Sequence, residues 1–181
     1  MGKRHIRRSD QDLVKISNHL LYEIQMLFET ARALATADRA SERDVRMWAT
    51  HNALLESFII HARVLLDVLY SPRRKPDDVI AQDFLDNASA WLQQRPKKSR
   101  LLKTSHKRVG KELAHLTYAR LAVTPDEKQW QFVDIANEIG GVLKKFLRLV
   151  PEWRVSDPFR GFLSQAVSAE GEARPEDAVG G

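Results

Sequence analysis

The sequence predicts an all-α protein, an antiparallel bundle of four to five helices with a short helical crossover and a flexible C-terminal tail. Its apolar residues recur in long segments with a period near 3.6, and no run keeps the period-2 alternation of a half-buried strand. Short linkers such as 38–40 force successive helices to run antiparallel. At 181 residues the chain has the size of one domain, which we divide into a basic arm (1–8), a bundle (9–151) and a tail (152–181). The absence of cysteine excludes disulfide scaffolds, thiol catalysis and thiolate metal sites. No stretch approaches the roughly 20 apolar residues of a membrane span, and the basic N-terminus lacks the apolar core of a signal peptide. The expectation is a cytoplasmic protein with no membrane partner.

Ser9 is a candidate N-cap with Asp12 three residues on, and Leu13, Ile16, Leu20, Ile24, Leu27, Phe28, Ala31 and Leu34 then share one face to about Ala37. Ser41 with Asp44 opens a second helix that Ser71-Pro72 closes after Tyr70. In the crossover, 73–94, Pro76-Asp77-Asp78 has the residues of a helix start and leads into short helical pieces carrying Val79, Ile80, Phe84 and Trp91. A fourth helix covers roughly Lys98 to Leu121. Thr124-Pro125-Asp126-Glu127 combines an N-cap, a proline at the first helical position and a capping-box glutamate, so a fifth helix runs from there to Pro151. Gly140-Gly141 interrupts it where close helix packing needs a small residue. In the tail, Trp153 to Phe162 dock partly and the remainder is disordered. The four tryptophans serve as core and interface anchors.

The net charge of +5 is unevenly distributed. Residues 95–111 contain eight Lys or Arg and no Asp or Glu, Lys3, Arg4, Arg7 and Arg8 form a second cluster, and 73–75 a third. Glu170, Glu172, Glu176 and Asp177 mask them in the total. A polyanion responds to a local field, so this pattern points towards nucleic acid.

Two helices carry polar residues in unusual places. The second is apolar around most of its circumference, yet Asn52, Glu56, Arg63 and Asp67 fall in one narrow stripe. Charges there need partners, a cleft or a thin solvent edge, and Arg63 and Asp67 are spaced for an i,i+4 pair. His61 lies on the apolar side, where a satisfied core histidine is the simplest account. On the fourth helix Leu102, Val109, Leu113 and Leu116 form the apolar face. Arg108 and His115 lie seven residues apart, about 20° around the axis and ~10 Å along it, with Thr104 and Glu112 on their face.

Arg108-Val-Gly-Lys-Glu-Leu-Ala-His115, late in an all-α domain of this size, resembles the Arg-x(4–6)-His motif of the HEPN superfamily. Asn52 through Asp67, Asp77 through Phe84 and Leu113 through Arg120 are similar to signatures of an uncharacterised bacterial subfamily of that type, a likeness covering residues 9–150. Val109 and Gly110 stand where active members commonly place a polar residue after the arginine. The resemblance implies a metal-independent endoribonuclease of toxin–antitoxin or phage-defence type. The RNA 2′-hydroxyl attacks the adjacent phosphate and leaves a 2′,3′-cyclic phosphate. His115 would exchange protons near neutral pH, and Arg108 would hold the phosphoryl oxygens. Glu56, Arg63, Asp67 and Glu112 would support them, and Lys103, Lys107, Lys111 and Arg120 would follow the RNA backbone. It further implies a homodimer with facing motif helices, and an antitoxin or defence-system partner.

Other chemistries lack their residues. There is no Gly-rich phosphate loop and no His-Glu-x-x-His, and Glu-x-x-His occurs once, at Glu112 and His115, beside Lys111. No metal site and no cofactor are expected. The competing reading is a non-catalytic interaction module in which the stripe and Arg108/His115 form a structural polar network. A third is an RNA binder without catalysis.

Overall fold

The computed structural model describes residues 8–36, 45–72, 75–112, 118 and 129–171. All regular structure among them is helical: α1 (Asp10–Thr36), α2 (Val45–Tyr70), a 3₁₀ turn at Ala81–Phe84, α3 (Ala88–Gln94), α4 (Arg100–Glu112), α5 (Phe132–Leu147), a 3₁₀ turn at Glu152–Arg154 and α6 (Asp157–Gly171). No described helix is long and apolar enough to cross a membrane.

α1 begins where its cap predicts. The Asp12 backbone N–H donates to Ser9 Oγ at 3.1 Å, and the Ser9 hydroxyl donates to the Asp12 carboxylate at 2.7 Å. Its buried stripe, Leu13, Leu20, Ile24, Leu27, Ala31 and Leu34, lies along α2. α2 buries Phe58, Ile59, Ala62, Leu65, Leu66 and Leu69 and touches α1, α4, α5 and the first 3₁₀ turn, which makes it the central helix.

The crossover differs from expectation at its start. Pro76-Asp77 sits in a turn, in which the Lys75 backbone N–H donates to the Asp78 carboxylate at 2.7 Å, and helical structure begins at Ala81. The Asp78 N–H donates to the Lys75 carbonyl at 3.2 Å, closing a single turn, and the chain is extended at Ile80 before the 3₁₀ turn begins. Asn87 caps α3 by accepting from the Ser89 N–H. Phe84 and Trp91, both fully buried, then meet Phe146 of α5 edge-on, at 6.2 and 5.5 Å between ring centroids.

The expected fifth helix begins later than its capping residues suggest. Gln129, Trp130 and Gln131 are not helical and α5 starts at Phe132; Thr124 to Glu127 lie outside the described residues. Ser99 meets Glu138 while Arg108 meets Trp130, so α4 and α5 run in opposite directions.

The described part of the tail, 152–171, is tied into the fold. Arg154, with a side chain only 6% exposed, reaches Asp10 of α1 at 3.0 Å and Asp86 of the crossover at 2.7 Å. The Ser156 N–H donates to the buried Ser17 hydroxyl at 2.9 Å, Val155 and Phe159 enter the core, and α6 continues to Gly171, beyond the expected limit at Phe162. Of the tryptophans only Trp91 is fully buried; Trp48 and Trp153 are exposed.

Candidate functional site: the α4 ridge and its flanks

α4 starts at a serine cap. Ser99 Oγ accepts from the Leu102 N–H at 3.0 Å and donates to Glu138 on α5. Leu102, Ser105 and Val109, at positions i, i+3 and i+7, form its buried face. Arg100, Lys103 and Lys107 have the same spacing on the opposite side, within about 60° of one another and over ~10 Å of axis. All three are exposed, so the helix presents a cationic ridge directly away from the core. Lys111 continues this register in sequence.

The two flanks of the buried face hold two different assemblies. On one, the Arg108 guanidinium lies 4.1 Å from the centroid of the Trp130 ring and donates to the Gln129 carbonyl at 3.4 Å. A guanidinium stacked on an indole keeps its full charge in a fixed plane. On the other, His106 faces α2. Its Nε2 lies 3.1 Å from Asp67 Oδ1, and its Nδ1 lies 3.4 Å from Lys98 Nζ. An ammonium only donates, so Nδ1 is the accepting nitrogen and Nε2 carries the proton directed at the carboxylate.

Asp67 is the hub of this flank. It accepts from the Ser71 hydroxyl at 2.8 Å and faces Arg63 Nε at 3.7 Å in addition to His106. The His106 hydrogen bond, helped by Ser71 and by the charges of His106 and Arg63, outweighs desolvation and lowers the Asp67 pKa from 3.8 to about 2. Tyr70, one turn further on, carries Lys98 at 4.8 Å and Arg95 at 5.1 Å from its ring centroid. Burial raises the Tyr70 pKa, and the charge of Arg95 opposes it. Arg95 also donates to the Leu69 and Tyr70 carbonyls, closing the C-terminal end of α2. Beside Asp67 opens a surface cavity of about 380 Å³, whose polar lining is Asp67, Ser71, Lys75 and Asp78.

The structure thus divides the residues expected at one site. Asp67 and Arg63 come together as an i,i+4 pair. Glu56 is exposed, about 16 Å along α2 from Asp67, and does not join it. Asn52 donates to the Trp48 carbonyl of its own helix. The stripe is therefore a solvent edge over most of its length and a polar hub only at Asp67. Lys103 and Lys107 stand on the ridge, and Arg108 is on the flank away from Asp67. His115 and Arg120 lie outside the described residues, as do the side chains of Lys111 and Glu112. His61 is the satisfied core histidine expected, buried with Nδ1 2.7 Å from Glu23 and edge-on to Tyr22.

Sequence reasoning missed His106. Its position at the edge of the apolar face, next to a helix with an aspartate in an apolar context, is the one signal that marks it. The pairing itself spans 39 residues and becomes visible only when α2 and α4 pack. Among the described residues no group of three or more His, Asp or Glu is arranged to hold a metal ion. In comparison with known proteins, the chain matches no family model, no curated protein and no solved structure.

Proposed function

We propose that this protein binds RNA along α4 and cleaves it without a metal, in the manner of HEPN-type endoribonucleases. The observation that carries this reading is the ridge of Arg100, Lys103 and Lys107, exposed on one face of a helix whose opposite face is core. Cations spaced along a ridge neutralise successive phosphates and release their counterions. The ridge lies within the acid-free stretch 95–111. Arg108, which lies against the Trp130 ring, adds a guanidinium, a group suited to phosphate, beside the ridge. In this reading the helices form an antiparallel bundle, which the opposite directions of α4 and α5 support. Two copies pair through their motif helices in the cytoplasm, His115 exchanges a proton with a reacting oxygen of the RNA as general acid or base, and an antitoxin or defence partner restrains the activity.

The test is incubation of purified protein with labelled single-stranded RNA in excess chelator, with end-group analysis of the products. The expected result is fragments ending in 2′,3′-cyclic phosphate, lost in Arg108→Ala and His115→Ala variants that retain the wild-type melting temperature. A wild-type protein that forms no product, together with a large loss of stability in either variant, supports the interaction-module reading instead. The network of Arg63, Ser71 and His106 around Asp67 is the observation that favours that second reading.

A further inference from the structure

Cleavage of RNA by its own 2′-hydroxyl requires one group to remove the hydroxyl proton and another source to protonate the departing 5′-oxygen. One imidazole does not serve both within a single step. We propose that His106, oriented by Asp67 across the α2–α4 interface, is the general base of this reaction. The inference rests on the RNA-cleavage reading above and deepens it by assigning the base to a second imidazole within the same chain.

The geometry is that of an oriented base. A carboxylate fixes Nε2–H, which leaves the lone pair on Nδ1, the nitrogen that meets Lys98. The ring keeps 22% of its side chain exposed, in contrast to His61, whose 11% is enclosed between α1 and α2. It sits on the helix that carries the ridge, one residue before Lys107. The groups facing it are Asp67 from α2 and Lys98 from the segment before α4, with Arg63 and Ser71 behind Asp67 and Tyr70 beneath Lys98. Nδ1 meets Lys98 at a long 3.4 Å, a weak contact for a hydrogen bond, so a phosphate drawing the ammonium towards itself uncovers the base.

The step balances without an outside reagent. The 2′-hydroxyl proton passes to His106 Nδ1 as the 2′-oxygen bonds to phosphorus. The phosphorus–O5′ bond breaks, and the 5′-oxygen takes a proton from solvent. The imidazolium then returns its proton to water. Lys98, adjacent to the displaced charge, neutralises the phosphoryl oxygens.

The experiment compares wild-type protein, His106→Gln and Asp67→Asn, with RNA affinity, kcat, KM and melting temperature measured for each. His106→Gln should lower kcat at least about 100-fold while RNA affinity stays within about twofold and the fold persists. Asp67→Asn should lower kcat at least about 10-fold with KM unchanged, because the amide no longer orients Nε2–H. Cleavage by either variant at the wild-type rate overturns the proposal and leaves the cleavage reading standing; a wild-type protein that binds RNA without cutting it overturns both and leaves the ridge as an RNA-binding surface. Failure of all three proteins to bind RNA overturns the RNA reading together with this one.

Discussion

At the scale of single residues, Asp67 shows how a charge in an apolar helix is kept. Three neighbours, Arg63, Ser71 and His106, face one carboxylate, and the strongest, His106, holds it well below the ordinary range at about 2. Its folded pKa lies below the ordinary 3.8 that it has when the chain unfolds. The folded state therefore binds fewer protons, and the stabilisation is complete above about pH 4 and lost as the pH falls towards 2. In urea titrations wild-type protein should exceed Asp67→Asn at pH 6, by about 1 kcal/mol once screening of a part-exposed group is allowed for. The gap should close progressively between pH 4 and 2; a gap constant with pH contradicts the assignment. The sequence displayed Asp67 as anomalous without showing why it is tolerated. Its partners Arg63 and Ser71 are local and legible, whereas His106 lies on another helix, and no periodicity within α2 points to it.

Among the helices, the adjacent glycines of α5 give a sharp contrast. A Cβ on Gly140 would meet Phe28 of α1 at 3.1 Å, while one on Gly141 meets nothing within 4 Å. Alanine lowers the backbone entropy of the unfolded chain at either position. Gly141→Ala should therefore stabilise by about 0.5–1 kcal/mol in thermal unfolding, and Gly140→Ala should gain little because Phe28 must shift. Equal gains at both sites would contradict close contact of α1 with α5. The sequence identified the pair as a packing feature and left open which member packs. Arg154 is a second case. Buried between Asp10 and Asp86, it fastens the tail to α1 and the crossover, so Arg154→Met should lower stability by about 1–2 kcal/mol, less than the 3–5 kcal/mol typical of a fully buried pair because both aspartates rehydrate. Nothing in the tail's composition announces this clasp, because its partners are 144 and 68 positions away. Helix boundaries followed local chemistry at Ser9 and departed from it in the crossover, where the turn at Pro76-Asp77 gives way to extended backbone at Ile80 before helical structure starts.

Over the whole molecule, the all-helical class was legible because it depends on periodicity, which every segment carries in itself. The order of packing around α2 was not, since it arises from contacts such as Trp91 on the Leu69 carbonyl and His106 on Asp67 that join distant segments. The candidate site was legible in its electrostatics and only partly in its geometry. The basic stretch 95–111 reads directly from composition, and folding converts it into a ridge with Arg108 and His106 on separate flanks. The net charge of +5 understates that surface, because the acidic residues near the C-terminus offset it in the sum. The central claim is that the ridge binds RNA through its phosphates. Its most direct test is the affinity for a single-stranded RNA of about 20 nucleotides, measured across a series of salt concentrations for wild-type protein and for Arg100→Glu/Lys103→Glu/Lys107→Glu. The wild-type logarithmic salt slope should be about −2 or steeper, and the triple variant should lose about two units of that slope, at ~0.7 per phosphate contact. Equal affinities and equal slopes for the two proteins would contradict the claim.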